Sequence, residues 1–385
     1  MYITRIRLKN WRNFQTLDVN LRDYAYIIGP NAAGKSNLLD ALRFLRDIAR
    51  SEGGGLQTAL SSRGGVSKVR CLHARGDSEM KIEVWISTEL DQPQVTWTYE
   101  IGIKREGKGA QRTLVTSEVV THNGTTILRR PEKADLADTE RLTQTSLEQI
   151  QANVKFRDLT KFLADISFIH LVPQLLKYSD IIGGNRVESD PFGQGFLERV
   201  ARSTERSRSA RLKRIEGALK VAVPQFTDLR FVKDEATGRP HLEARYAHYR
   251  PNAGWQREES FSDGTLRLIA LLWSLQDGES ILLMEEPELS LNDAIVRQIP
   301  ALLKGVRKTT KKLRQVIVTT HSEALLNSDL IDARDVVLLE VGESGTTGRS
   351  VDEAELKAIA EGQKIGEVMM PKTMPAGLKG FTNWR

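Results

Sequence analysis

A chain of 385 residues, 40% hydrophobic and 28% charged, has the material for a soluble globular protein of two or three compact units. No apolar run approaches the ~20 residues of a membrane span, and the start MYITRIRLKN has no secretory core. The single cysteine, Cys71, excludes an intramolecular disulfide and a cysteine-based zinc site, so a reducing cytoplasm is expected, and the net charge of +6 is at most weak support for a polyanionic partner.

In chain order, ITRIRL (3–8) and YAYII (24–28) read as strands, the second running into the glycine-bearing stretch GPNAAGKS (29–36). Leu38, Leu39, Ala41, Leu42, Leu45 and Ile48 then recur at helical spacing. The Gly- and Ser-rich residues 51–65 read as a flexible loop. From 66 to 129 the period changes to two, and the segments 81–88, 95–104 and 113–121 predict an antiparallel meander. Residues 132–165 and 189–222 read as helical, interrupted by a short strand at 166–172 and followed by strands at 228–233 and 241–248. Beyond 261 strands and helices alternate: helix after FSDGT, strand 280–284, helix 293–304, strand 315–319, helix 322–327, strand 335–341, and a short helix near 352–361. That alternation signals a mostly parallel sheet assembled from both chain ends, with the middle inserted. The predicted division is 1–130 and 226–345 as two lobes, 131–225 as a helical insertion between them, and 346–385 as a terminal helix and tail.

Four short motifs carry chemistry. GPNAAGKS fits GxxxxGK[ST] between a strand and a helix, the setting in which backbone N–H groups and the helix N-terminus cradle phosphates. Lys35 would reach the β- and γ-phosphates, and the Ser36 hydroxyl would ligate Mg²⁺. ILLMEEPE (281–288) ends an apolar strand in two carboxylates. Glu285 would meet the metal through water and Glu286 would polarise the attacking water, although two acids closing a strand are common without any such role. FSDGT (261–265) puts Ser262 at a helix N-cap with free N–H groups near Gly264. By itself it reads first as a capped helix with no ligand. TTHS (319–322) places His321 at a strand tip, in reach of a γ-phosphate.

Taken together and in this order, the motifs resemble an ABC-type ATPase of the RecF, SMC and OLD-like group, most of all the stand-alone AAA-type ATPases of bacterial genome maintenance and phage defence. IRLKNWRNF resembles the group's opening, GPNAAGKSN its Walker A motif, FSDGT its signature, EEPE its Walker B motif and TTHS its switch-histidine loop. The resemblance covers about the first 50 and last 125 residues. It implies a split ATPase head with an antiparallel meander lobe and a helical insertion. It also implies a head-to-tail homodimer or larger homo-oligomer with ATP and Mg²⁺ at the interface. Carried over, Gly29, Asn31, Gly34, Lys35, Ser36 and Asn37 bind nucleotide, Glu285 serves the metal, Glu286 is the base and His321 senses the γ-phosphate. Ser262 and Gly264 close the neighbour's site, Arg12 and Asn13 approach the nucleotide base, and Gln174 is a candidate metal-side glutamine.

Departures from the pattern narrow the reading. FSDGT in place of LSGGQ argues against a transporter subunit, and Asn292 after EEPELSL makes the loop coupling two sites atypical, so slow turnover is expected. About 220 residues lie between Lys35 and the signature, too few for long coiled-coil arms at ~1.5 Å per residue. Basic clusters at Arg199, Arg202, Arg206, Arg208, Arg211, Lys213 and Arg214, and at Lys304, Arg307, Lys308, Lys311, Lys312 and Arg314, read either as a DNA-backbone track or as solvated helix faces. Nothing after residue 342 resembles a nuclease. The expected partner is therefore a separately encoded effector, a nuclease or toxin controlled by the nucleotide state in antiviral defence. Duplex DNA is the alternative, in a repair role.

Overall fold

The protein structure, a computed structural model, describes residues 1–74, 76–89, 94–107, 111–178, 192–193, 195–248, 254–278, 280–310 and 314–375, with backbone only for 306–310. It forms two compact units: Met1–Ser167, Glu279–Leu283 and Leu313–Arg385 in the first, Phe168–Gly278 and Met284–Lys312 in the second.

The first unit holds a six-stranded antiparallel sheet in the order Phe14–Asn20, Tyr2–Trp11, Met80–Ser87, Val95–Arg105, Thr113–His122, Thr125–Arg130. The meander read from the period of two is there, and the opening strand joins it. The sheet also includes Phe14–Asn20, which the sequence did not announce. Here Phe14, Leu17 and Val19 turn inward while the residues between them face solvent, and the preceding reversal uses positive φ at Arg12 (54°).

A second six-stranded sheet runs Gly345–Ser350, Val336–Gly342, Tyr24–Ile28, Val316–Thr319, Leu282–Glu285, Ser167–Ile169. Tyr24–Ile28 is parallel to both Val316–Thr319 and Val336–Gly342. All five of its residues are buried, as a strand covered on both faces requires. The sheet is therefore drawn from both ends of the chain, as the alternating pattern implied. Helix Lys35–Ala49 buries Leu38, Leu39, Ala41, Leu42, Leu45 and Ile48, the residues that carried its helical spacing.

Two stretches differ from expectation. Residues 51–65 are not simply loop, since they contain the helix Leu56–Ser61. Residues 132–165 are not one helical run. They form the short helices Lys133–Ala137 and Arg157–Ala164 and the 3₁₀ turns Thr139–Thr143 and Ala152–Phe156. The reason is a buried polar knot. Glu118, 0% exposed, accepts from Tyr99 Oη (3.1 Å), Arg130 (3.2 Å) and the backbone N–H groups of Ser146 (2.7 Å) and Leu147 (3.1 Å). A continuous helix would have kept those two amides for itself.

The second unit contains the antiparallel sheet Gln256–Arg257, Pro240–Tyr246, Phe226–Lys233 and the helices Phe196–Arg202, Glu205–Ala222, Asp263–Leu275 and Ile299–Thr310. Among the described residues no helix is long and apolar enough to cross a membrane. The start of the predicted helix at 189–191, Lys311, Lys312 and the side chains of Arg307 and Lys308 lie outside the described residues.

Candidate functional site

In the first unit, strand Tyr24–Ile28 delivers the chain into the glycine loop, and helix Lys35–Ala49 takes it out. Gly34, at φ 94°, is the N-cap. A side chain there would meet the left-handed backbone penalty, and its Cβ would collide with the Asn13 amide. The helix starts with no capping side chain and no acid in its first turn, so its positive N-terminal end faces no carboxylate of its own. The Lys35 ammonium is buried and donates to the carbonyls of Gly29 (3.1 Å) and Pro30 (3.2 Å), which folds it over the loop. Asn31 and Ser36 are exposed.

Asn13 straps this loop. Its Nδ2 donates to the Ala33 carbonyl (2.8 Å) and to Thr346 Oγ1 (2.7 Å), and its Oδ1 accepts from Asn37 (2.8 Å). Trp11, fully buried, donates from Nε1 to the Asn37 carbonyl (2.9 Å). Arg12 pairs with Asp40 on the helix (2.9 Å) and donates to the Lys68 carbonyl (3.2 Å). Arg12 and Asn13 thus act on the loop's scaffold in this structure.

His321 follows the neighbouring strand. Thr319 pairs with Ile27 in parallel register, and the Thr320 N–H donates to the Ile27 carbonyl (3.1 Å). The glycine loop and His321 therefore leave adjacent parallel strands at the same carboxyl end, where open α/β sheets bind ligands. Ser322 caps the next turn through the Leu325 N–H (3.1 Å), fixing the backbone on the far side of the histidine.

The second unit contains Glu285, Glu286 and the signature turn. Glu285 ends the strand Leu282–Glu285, and Glu286 has φ 44°. A non-glycine residue held in left-handed backbone is a strained position of the kind that gathers at working sites. The turn is closed by Leu289 N–H on the Glu286 carbonyl (3.2 Å) and Leu291 N–H on that of Glu288 (3.0 Å). Ser262 caps helix Asp263–Leu275 by accepting from the Thr265 N–H (3.1 Å). Gly264 packs so tightly that an added Cβ would lie 2.5 Å from the Ser290 carbonyl. One turn on, burial pulls the Arg267 guanidinium below its ordinary value against the charges of Asp263, Glu286 and Glu288.

Gln174 is exposed and donates to Asp263 (2.8 Å), with Lys177 on the other carboxylate oxygen (2.7 Å). The structure thus places the expected metal-side glutamine on the signature turn. A side chain beside Glu285 is instead His170, with Nδ1 3.8 Å from Oε2. Sequence reasoning missed both His170 and Lys177. The only signal for the histidine was its position at the end of an apolar strand segment. Ser36, in the first unit, and Glu285, in the second, each carry the hard oxygen type that suits Mg²⁺.

Of the first basic cluster, Arg208 donates to the carbonyls of Ala201 and Ser203 and stacks on Phe231, and Arg211 pairs with Asp277 and lies over Trp273. Arg202, Arg206 and Lys213 are exposed.

Known proteins carry the same pattern. A family model described as "AAA domain, putative AbiEii toxin, Type IV TA system" matches residues 25–327, and one described as "P-loop containing region of AAA domain" matches residues 3–45. The DNA replication and repair protein RecF of Roseiflexus castenholzii is 31% identical over 101 residues, 24% of this chain and 25% of that protein. The endonuclease GajA of Bacillus cereus is 47% identical over 47 residues, 12% of this chain and 8% of GajA. The matches thus span about a quarter of these curated relatives or less. Among solved structures, an Smc head bound to the C-winged helix domain of ScpA covers 92% of this chain and 100% of its own, at TM-score 0.54 and 16% identity. The Smc head domain with a coiled coil and joint from Pyrococcus yayanosii covers 94% and 99%, at 0.51 and 13%. The fold is an ABC-type ATPase head.

Proposed function

We propose that this chain, which belongs to the AAA-domain family matched over residues 25–327, is an ATP-operated switch that closes into a dimer or larger homo-oligomer on ATP and controls a separately encoded effector. Its ATPase chemistry is that of the RecF- and SMC-like proteins. The observation carrying the reading is the exit of the glycine loop and of His321 from the same end of neighbouring parallel strands. Lys35, the loop amides and the helix start take the phosphates. Ser36 would ligate Mg²⁺ and Glu285 would meet it through water, and the ion when bound would neutralise charge on the phosphate oxygens. Glu286 orients and deprotonates the attacking water, and His321 donates to the γ-phosphate. Ser262 and Gly264 of a second copy complete the site. The toxin system in the family's description and the likeness to an endonuclease support an effector of that class, and slow turnover suits a switch.

The test is Glu286→Gln. Hydrolysis should fall by about 100-fold or more while ATP binding persists, and light scattering should show a long-lived assembly formed only with ATP. A variant that turns over ATP normally, or stays a monomer with ATP bound, removes the reading. A RecF-like DNA clamp is the second reading, favoured by the 101-residue likeness to RecF and the exposed Arg202, Arg206 and Lys213. Salt-sensitive, ATP-dependent binding of duplex DNA by the chain alone would select it.

A further inference from the structure

The proposed site uses Glu285 on the metal side, and its neighbourhood contains an unused group. His170 directly follows the edge strand Ser167–Ile169, next in sheet order to Leu282–Glu285. Its ring lies edge-on to Phe192, centroids 6.1 Å apart. Its Nδ1 is buried and, among the described residues, has no hydrogen-bond partner, yet sits 3.8 Å from Glu285 Oε2. That gap is too long for a hydrogen bond and short enough for one side-chain rotation to close. A buried imidazole nitrogen left unpaired beside a carboxylate has no packing rationale, since a phenyl ring would fill the same space.

We infer that His170 is a positioning residue for the metal side of the site. In the neutral tautomer its Nδ1–H donates to Glu285 Oε2 when metal and nucleotide bind. That fixes the plane of the carboxylate. Carboxylates that serve metals are generally held this way, and removal of such outer partners costs about 10–100-fold in metal affinity or activity. The inference rests on the ATPase reading above, and it places at His170 the role that the sequence suggested for Gln174.

The experiment uses the full chain with a non-hydrolysable ATP analogue and Mn²⁺ as the probe, free Mn²⁺ being read by electron paramagnetic resonance. His170→Ala and His170→Phe, the latter keeping the ring against Phe192, should each weaken Mn²⁺ in the nucleotide complex about tenfold or more. Affinity for the analogue in EDTA should stay within about twofold. His170→Gln, whose amide also donates, should recover most of the loss. If His170→Ala fails to fold, the phenylalanine variant decides. Unchanged Mn²⁺ affinity in the folded variants overturns the inference and leaves the ATPase reading standing, as does an equal loss of nucleotide affinity without metal. A wild-type chain that takes no nucleotide at all overturns both.

Discussion

The loop at Gly29–Ser36 and the turn at Ser262–Thr265 are both glycine-bearing entries to a helix, but they are held by opposite means. The first hangs from a strand with every residue buried and is strapped by the neutral amide of Asn13. The second has its own cap at Ser262 and tight packing at Gly264, and is further held by charge: Asp263, about one-third exposed, is gripped by the Lys177 ammonium and the Gln174 amide. Neutral hydrogen bonds among half-buried groups are little affected by salt, whereas a partly exposed ion pair is screened and inexpensive to break. A loop that must present fixed amides suits the first arrangement. On the proposed reading, a turn that meets and leaves a neighbour's nucleotide suits the second.

The largest effect that would test this contrast comes from Gly34→Ala. Left-handed strain and the displaced Asn13 should together cost about 3 kcal/mol in urea melts and remove ATP binding. A variant with normal stability would mean that the loop is not fixed as described. Asn13→Ala, which deletes the strap and keeps the glycine, should cost about 2 kcal/mol and weaken ATP in proportion, nearly independent of salt.

Glu355, in the same unit, extends the contrast to a buried carboxylate. It is 3% exposed and accepts from Arg349 (2.8 and 2.9 Å) and the Asp352 N–H (2.7 Å). Arg349 foremost, then Lys372 and the Asp352 amide, hold it down at about 2, against an ordinary 4.5. A carboxylate depressed in the folded state stabilises above its unfolded value, and that stabilisation drains as pH falls through the folded one. Glu355→Gln should therefore cost about 2 kcal/mol at neutral pH, and the gap to wild type should close between about pH 4.5 and 2. A gap that persists at pH 2 would deny the ion pair its role. The smallest effect belongs to Lys177→Ala, below about 1 kcal/mol and shrinking further in high salt. A larger, salt-independent loss would place the signature turn in the rigid class with the first loop.

Much of this was legible before any coordinates. The period of two gave the meander, the buried face of Lys35–Ala49 followed from its spacing, and the four motifs lie at the strand ends and helix starts read for them. What escaped has physical causes. Gly345–Ser350 is a strand made of Gly, Thr, Arg and Ser, a composition that reads as turn and becomes strand only because Val336–Gly342 pairs with it. The apolar spacing in 132–165 resembles a helix because sequence cannot show Glu118 claiming the amides of Ser146 and Leu147. His170 has no signature at all. Its interest comes from Glu285, a residue 115 positions away in the chain, and only tertiary structure joins them.

The Asn13 strap also bears on the order of events during synthesis. One amide joins residue 13 to the nearby Ala33 and Asn37 and to Thr346, which leaves the ribosome more than 300 residues after them. The backbone repeats the tie through the Thr346 N–H on the Asn13 carbonyl (3.0 Å). A nascent chain holding the whole phosphate motif still lacks the strand and hydroxyl that complete its strap. The full strap is thus completed late in translation, and a prematurely ended product would carry the motif without it.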